Sequence, residues 1–60
     1  MSSEKYRKAA KLLIRAGQIL ENIADIEDDA SISSELKEEQ TDKLMGEYLV
    51  QMLKIQNMSI

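Results

Sequence analysis

Acidic side chains are concentrated in the middle of the sequence, where they could bind a cation. Read as a calcium-binding loop that begins at Asp25, the segment puts Asp25, Glu27 and Asp29 at the first, third and fifth positions. The sixth position needs glycine for a sharp turn and holds Ala30, and the twelfth needs a bidentate glutamate and holds Leu36. We therefore interpret this segment as a solvated acidic loop, and we predict no metal ion and no other cofactor.

Basic side chains near the start of the sequence form a second candidate site. Lys8, Lys11 and Arg15 are separated by three and four residues, so a helix would place them on one stripe. Such a stripe could contact the phosphates of RNA or DNA, or the carboxylates of an acidic partner. The whole chain carries a net charge of −3, and Tyr6 is the only aromatic residue near the stripe. Nucleic-acid binding is therefore kept as an alternative to a solvated or interfacial stripe.

The chemistry of catalysis has little support in this composition. The chain has no cysteine and no histidine, which excludes disulfides, thiolate zinc sites and an imidazole proton shuttle. Serine, carboxylate, lysine and tyrosine side chains are present, but no nucleophile stands at a spacing that predicts an adjacent base. We predict that the protein is not an enzyme and has no catalytic residues.

The elements that position these side chains are predicted to be helices. Proline is absent, glycine occurs twice, and 43% of the 60 residues are hydrophobic, which is typical of an all-α protein. From Tyr6 to Ile26 apolar residues recur at steps of three and four. We predict a single helical-hairpin domain over residues 1–60, with helix 1 at about residues 3–28, a turn at about 29–33 and helix 2 at about 34–58.

The predicted turn rests on residues that compete for backbone hydrogen bonds. Asp28, Asp29 and Ser31 favour turns over helix interiors, and Ser33 is the better N-cap for a second helix because acidic residues follow it in the first turns. One continuous helix is the alternative, since no proline interrupts the chain. Folding the chain at Ser31 would also place Gly17 opposite Gly46, where we expect the two helices to approach closely.

Within one chain, the apolar residues of predicted helix 1 would not all face apolar residues of predicted helix 2. The end of helix 1 near the turn is apolar, whereas residues 33–43 contain only Leu36 as an apolar residue. A chain this short also has a marginal core without disulfides, a metal or oligomerisation. We therefore predict an antiparallel dimer of hairpins, a four-helix bundle. Its predicted dimer interface consists of Ile19, Leu20, Ile23, Ile26, Leu49, Met52, Ile55 and Met58.

The charge distribution favours the same antiparallel arrangement. Residues 1–15 contain five basic side chains and one acidic one, for a net charge of +4, while residues 16–42 contain nine acidic side chains and one basic one, for −8. The remaining 18 residues contribute +1, which gives the total of −3. An antiparallel dimer brings the basic end of one hairpin near the acidic turn of the other.

The function predicted from these features is binding rather than chemistry. We predict a small acidic regulator, inhibitor or adaptor that binds another protein as a homodimer in the cytoplasm. No apolar run exceeds three residues, so no membrane partner is expected. The first alternative is an RNA- or DNA-binding hairpin, and the second is an orphan subunit completed by a different protein. Met45, Met52 and Met58 are interpreted as core residues, with an adaptable groove for a partner helix as the alternative.

Overall fold

Two antiparallel helices form the hairpin. The computed structural model describes the backbone of residues 2–58 and the side chains of residues 3–58. Helix α1 runs over Ser2–Asp28 and helix α2 over Ser34–Asn57, and the described residues contain no strand. The predicted all-α hairpin is confirmed, and the continuous-helix alternative is wrong. Neither helix within residues 2–58 combines the length and apolar content that crossing a bilayer requires.

The chain reverses direction through a turn held by one aspartate. The Asp29 carboxylate accepts hydrogen bonds from the Ser31 backbone N–H at 2.9 Å and from the Ser31 hydroxyl at 2.6 Å. The backbone N–H of Ile32 also donates to the Asp29 carbonyl at 3.3 Å. This local use of a short polar side chain offers the backbone an alternative to continuing α1.

Ser33 caps the second helix. Its backbone is extended, with φ −65° and ψ 155°, and its hydroxyl accepts a hydrogen bond from the Leu36 backbone N–H at 3.2 Å. The cap satisfies one of the donors that every helix leaves unpaired in its first turn. Glu35 lies in that turn, where the helix dipole favours a negative charge. The predicted role of Ser33 is confirmed.

The two helices meet along a seam in which residues recur at alternating steps of three and four, as in a coiled coil. Ala9, Ala16 and Ile19 are buried, and Ile19 is fully inaccessible to solvent. The α1 side of this seam consists of Ala9, Leu12, Ala16, Ile19, Ile23 and Ile26. The α2 side consists of Lys37, Thr41, Leu44, Tyr48, Gln51, Ile55 and Met58, all half-buried.

The seam is polar on the α2 side where it approaches the turn. Ile23 and Ile26 are half-buried there, and the nearby residues of α2 are Lys37 and Thr41. The Lys37 ammonium donates to the Glu27 carbonyl at 2.9 Å, and the Thr41 hydroxyl donates to the Glu27 carboxylate at 3.2 Å. Near the turn, polar contacts therefore connect the two helices, because α2 has no apolar residue in the seam opposite Ile23 and Ile26.

The expected close approach at the two glycines is wrong. Gly17 and Gly46 are both exposed, and apart from the adjoining residues and backbone of its own helix, a Cβ atom built on either one has no heavy atom of the described residues within 4 Å. Small alanines in the seam, rather than the glycines, sit where the helices pack together. Both glycines therefore occupy open helix surface.

Candidate interaction surfaces

One ion pair shows which residues share a face of the hairpin. The Arg15 guanidinium lies 3.4 Å from the Glu47 carboxylate, and each residue comes immediately before a seam position, Ala16 in α1 and Tyr48 in α2. One residue turns a helix by about 100°. Residues that precede seam positions therefore lie on the ion-pair side of both helices, and residues that follow seam positions lie on the opposite side.

The side opposite the ion pair is apolar through most of its length. We call this surface the apolar face. Its exposed large side chains leave 40 to 61% of their surface open to solvent. The apolar face is formed by Tyr6, Leu13 and Leu20 of α1 and by Met45, Leu49 and the half-buried Met52 of α2. Ala10 and Gly17 lie between these side chains on α1, and Ala24 extends the apolar surface toward the turn.

The apolar face becomes acidic where it approaches the turn. Glu27 follows seam residue Ile26, Glu38 follows Lys37, and so both carboxylates lie on this side. An open groove with a volume of about 420 Å³ lies at this acidic end. That groove is lined by Glu27, Ser34, Lys37, Glu38, Thr41 and Asp42.

The residues predicted to form a dimer interface divide into two groups. The first group lies in the seam of a single hairpin, where Ile19 has no exposed surface and the other members are half-buried. The half-buried seam residues of this set are Ile23, Ile26, Ile55 and Met58. Leu20, Leu49 and Met52 instead belong to the apolar face. The sequence reasoning did not assign Tyr6, Leu13 and Met45 to this surface, although each follows a position of the three-and-four repeat.

The ion-pair side of the hairpin, which we call the polar face, carries the predicted basic stripe. Lys8 and Lys11 are exposed, and Arg15 is engaged with Glu47. Lys54 comes seven residues after Glu47, as Lys8 comes seven residues before Arg15, so Lys54 and Lys8 face each other across the seam. Sequence reasoning missed Lys54, because only the pairing of the helices joins it to the stripe.

The structure gives the central carboxylates local roles. Hydrogen bonds from the Ser31 hydroxyl and the Ser31 backbone N–H lower the pKa of Asp29 below its usual 3.8, with a smaller contribution from the charge of Lys37. Glu27 accepts from Thr41. Among the described residues, no three acidic side chains gather in an arrangement that could hold a metal ion. The acidic region therefore shapes the turn and carries charge.

Comparison with known proteins adds no assignment. No protein-family model matches the chain, and no curated protein and no solved structure matches it significantly. The two faces of the hairpin are the features from which a function can be argued.

Proposed function

We propose that this protein is a non-catalytic helical interaction protein that acts as a homodimer formed through the apolar face. The observation that carries the proposal is that five of the nine exposed large hydrophobic side chains among the described residues share the apolar face. The other four are divided between the ion-pair side, which has Leu36 and Val50, and the outer sides of the helices, which have Ile14 and Leu53. Burying a large aliphatic side chain is worth about 1.5 to 3 kcal/mol, and an exposed continuous patch of this kind is typical of a binding surface. A second hairpin laid on this face gives a four-helix bundle.

The distribution of charge on the apolar face favours a second, antiparallel copy of the chain as its partner. Glu27, Glu38 and Asp42 make the end near the turn acidic. Two hairpins stacked with their turns together would bring these carboxylates close to each other, which is unfavourable. An antiparallel two-fold axis separates the two acidic ends and so avoids this repulsion, and it places each acidic end beside the terminal end of the partner's apolar face.

A second copy also suits the face in its size. The Cα atoms extend over 48 × 15 × 9 Å, so the hairpin is a slab with two broad sides. The broad side of 48 by 15 Å is of the same order as the roughly 800 Å² that each partner buries in a standard interface. The resulting dimer leaves the polar face of each copy on the outside, where we expect the regulator, inhibitor or adaptor to bind another protein.

Sedimentation equilibrium over a wide concentration range tests the proposal, with two adjacent substitutions as a matched pair. Leu13 is 55% exposed on the apolar face, whereas Ile14 is 62% exposed on the outer side of α1. We expect the wild-type chain and Ile14→Asp to be dimers and Leu13→Asp to be a monomer. Circular dichroism of Leu13→Asp at the same concentrations shows how much helix a single hairpin retains.

Two outcomes would overturn the homodimer. A wild-type chain that stays monomeric at all concentrations would mean that a different protein covers the apolar face. Dimers of equal affinity for Leu13→Asp and Ile14→Asp would mean that the chains associate through another surface.

A further inference from the structure

Three lysines lie at the terminal end of the polar face, Lys8 and Lys11 of α1 and Lys54 of α2. Lys5 borders them at the position that continues the seam four residues before Ala9. Lys8 of α1 and Lys54 of α2 lie at the same level on either side of the seam, as the register of the Arg15–Glu47 pair two turns away shows. Like charges placed opposite each other repel, so this arrangement does not stabilise the hairpin itself. The basic patch, as we call it, consists of Lys5, Lys8, Lys11 and Lys54.

The basic patch borders an open groove. Glu4, Lys5, Lys8 and Met58 line this groove, which has a volume of about 310 Å³. The N-terminal end of α1 adds the partial positive charge of its helix dipole to the same region. Glu4 is the acidic member of the lining, so the lysines outnumber it and the local field is positive.

We propose that the basic patch binds a short acidic segment of another protein. Lys8 and Lys11 are spaced as neighbours on one helix ridge, and a partner with Asp or Glu side chains at matching steps can meet them and Lys54 together. The patch lies on the broad side opposite the apolar face. Both a single hairpin and a dimer formed through the apolar face therefore expose it, and this inference does not depend on the homodimer.

The extent of the patch favours an acidic protein segment over a nucleic acid. At about 1.5 Å per residue, Lys5 to Lys11 spans about 9 Å along α1. Double-stranded nucleic acid carries about one negative charge per 1.7 Å of its length and would continue past the patch. Beyond the patch the hairpin becomes acidic, with a net charge of −8 over residues 16–42, so a long polyanion would be repelled.

The test is fluorescence anisotropy with a fluorescein-labelled peptide of four glutamates and, in parallel, a labelled DNA duplex of ten base pairs. We expect the peptide to bind the purified chain at low salt, with an affinity that falls as salt is added and exceeds that of the duplex. Lys8→Gln and Lys54→Gln should each weaken peptide binding about threefold, the size expected for one exposed ion pair, and the double variant about tenfold.

Lys43→Gln is the matched control, because Lys43 is also an exposed lysine of α2 and its loss changes the net charge by the same amount. We expect this variant to bind the peptide like wild type. Three results would overturn the proposal: no binding of the peptide at low salt, tighter binding of the duplex than of the peptide, or an equal loss of affinity in Lys43→Gln and Lys54→Gln.

Discussion

Arg15 and Glu47 lie 3.4 Å apart and connect the middle of α1 to the middle of α2. Each residue immediately precedes a seam position, so their contact shows both the register of the helices and the side of the hairpin on which each exposed residue lies. The apolar face and the basic patch are defined by their positions relative to this pair. The register in which α1 pairs with α2 therefore determines where both surfaces lie.

Reversing the charge of Arg15 measures how much this contact contributes to stability. The two side chains are 48% and 42% exposed, and ion pairs in such positions contribute about 0 to 1 kcal/mol. We expect Arg15→Glu to lower the free energy of unfolding by up to about 1 kcal/mol more than Lys11→Glu, which changes the net charge equally. Urea denaturation at low salt measures the difference. A difference above about 2 kcal/mol would contradict the small contribution expected of an exposed ion pair.

Removing the cap of α2 should destabilise the hairpin. Ser33→Ala deletes the hydroxyl that accepts from the Leu36 backbone N–H, and losing an N-cap costs about 0.5 to 2 kcal/mol. Ser34→Ala is the control, because Ser34 is already inside the helix and alanine is the better helix former. Thermal denaturation followed by circular dichroism should therefore show a lower Tm for Ser33→Ala and no decrease in Tm for Ser34→Ala. Equal Tm changes would contradict the assigned cap.

The turn should respond to acid through Asp29. Its pKa is lower in the folded chain than its usual 3.8, chiefly because the Ser31 hydroxyl donates to the carboxylate. A lowered folded-state pKa means that this contribution to stability is fully present above pH 3.8 and is lost as the pH falls through the folded pKa. We expect an NMR titration to show the pKa of Asp29 rising toward 3.8 in Ser31→Ala and unchanged in Ser34→Ala. An unshifted Asp29 titration in Ser31→Ala would show that the hydroxyl does not stabilise the charged form.

Adjacent residues Ile19 and Leu20 show how far the sequence predicts this structure. Helical periodicity, the turn residues and the Ser33 cap predict the hairpin, because each depends on local chemistry. The apolar surface of α1 is broader than one seam, and local periodicity alone does not select the stripe that faces α2. Packing against α2 makes that selection: Ile19 is fully buried and Leu20 is 43% exposed.

Alanine substitutions at these two positions should separate the seam from the apolar face. Ile19→Ala removes a fully buried side chain, and we expect it to lower the free energy of unfolding by about 2 to 5 kcal/mol. Leu20→Ala should have a smaller effect on the folding of one hairpin but should weaken the proposed dimer. Urea denaturation of dilute and concentrated samples distinguishes the two effects. A loss of stability from Leu20→Ala that equals that from Ile19→Ala at high dilution would contradict the assigned seam.

The two glycines provide a test in which stability and assembly change in opposite directions. A methyl group at Gly17 or Gly46 meets no heavy atom of α1 or α2 within 4 Å other than the adjoining residues and backbone of its own helix, among the described residues. Alanine in a helix is favoured over glycine by about 0.5 to 1 kcal/mol. Both Gly17→Ala and Gly46→Ala should therefore stabilise the hairpin. Gly17 lies on the apolar face between Leu13 and Leu20, whereas Gly46 lies on the outer side of α2.

A partner hairpin would approach the backbone at Gly17 and not at Gly46. We therefore expect Gly17→Ala to raise the Tm measured on dilute protein while weakening dimerisation in sedimentation equilibrium. Gly46→Ala should raise the Tm and leave the dimer affinity unchanged. If both substitutions stabilise the hairpin and neither alters assembly, the partner does not approach Gly17, and the interface lies closer to the side chains of α2.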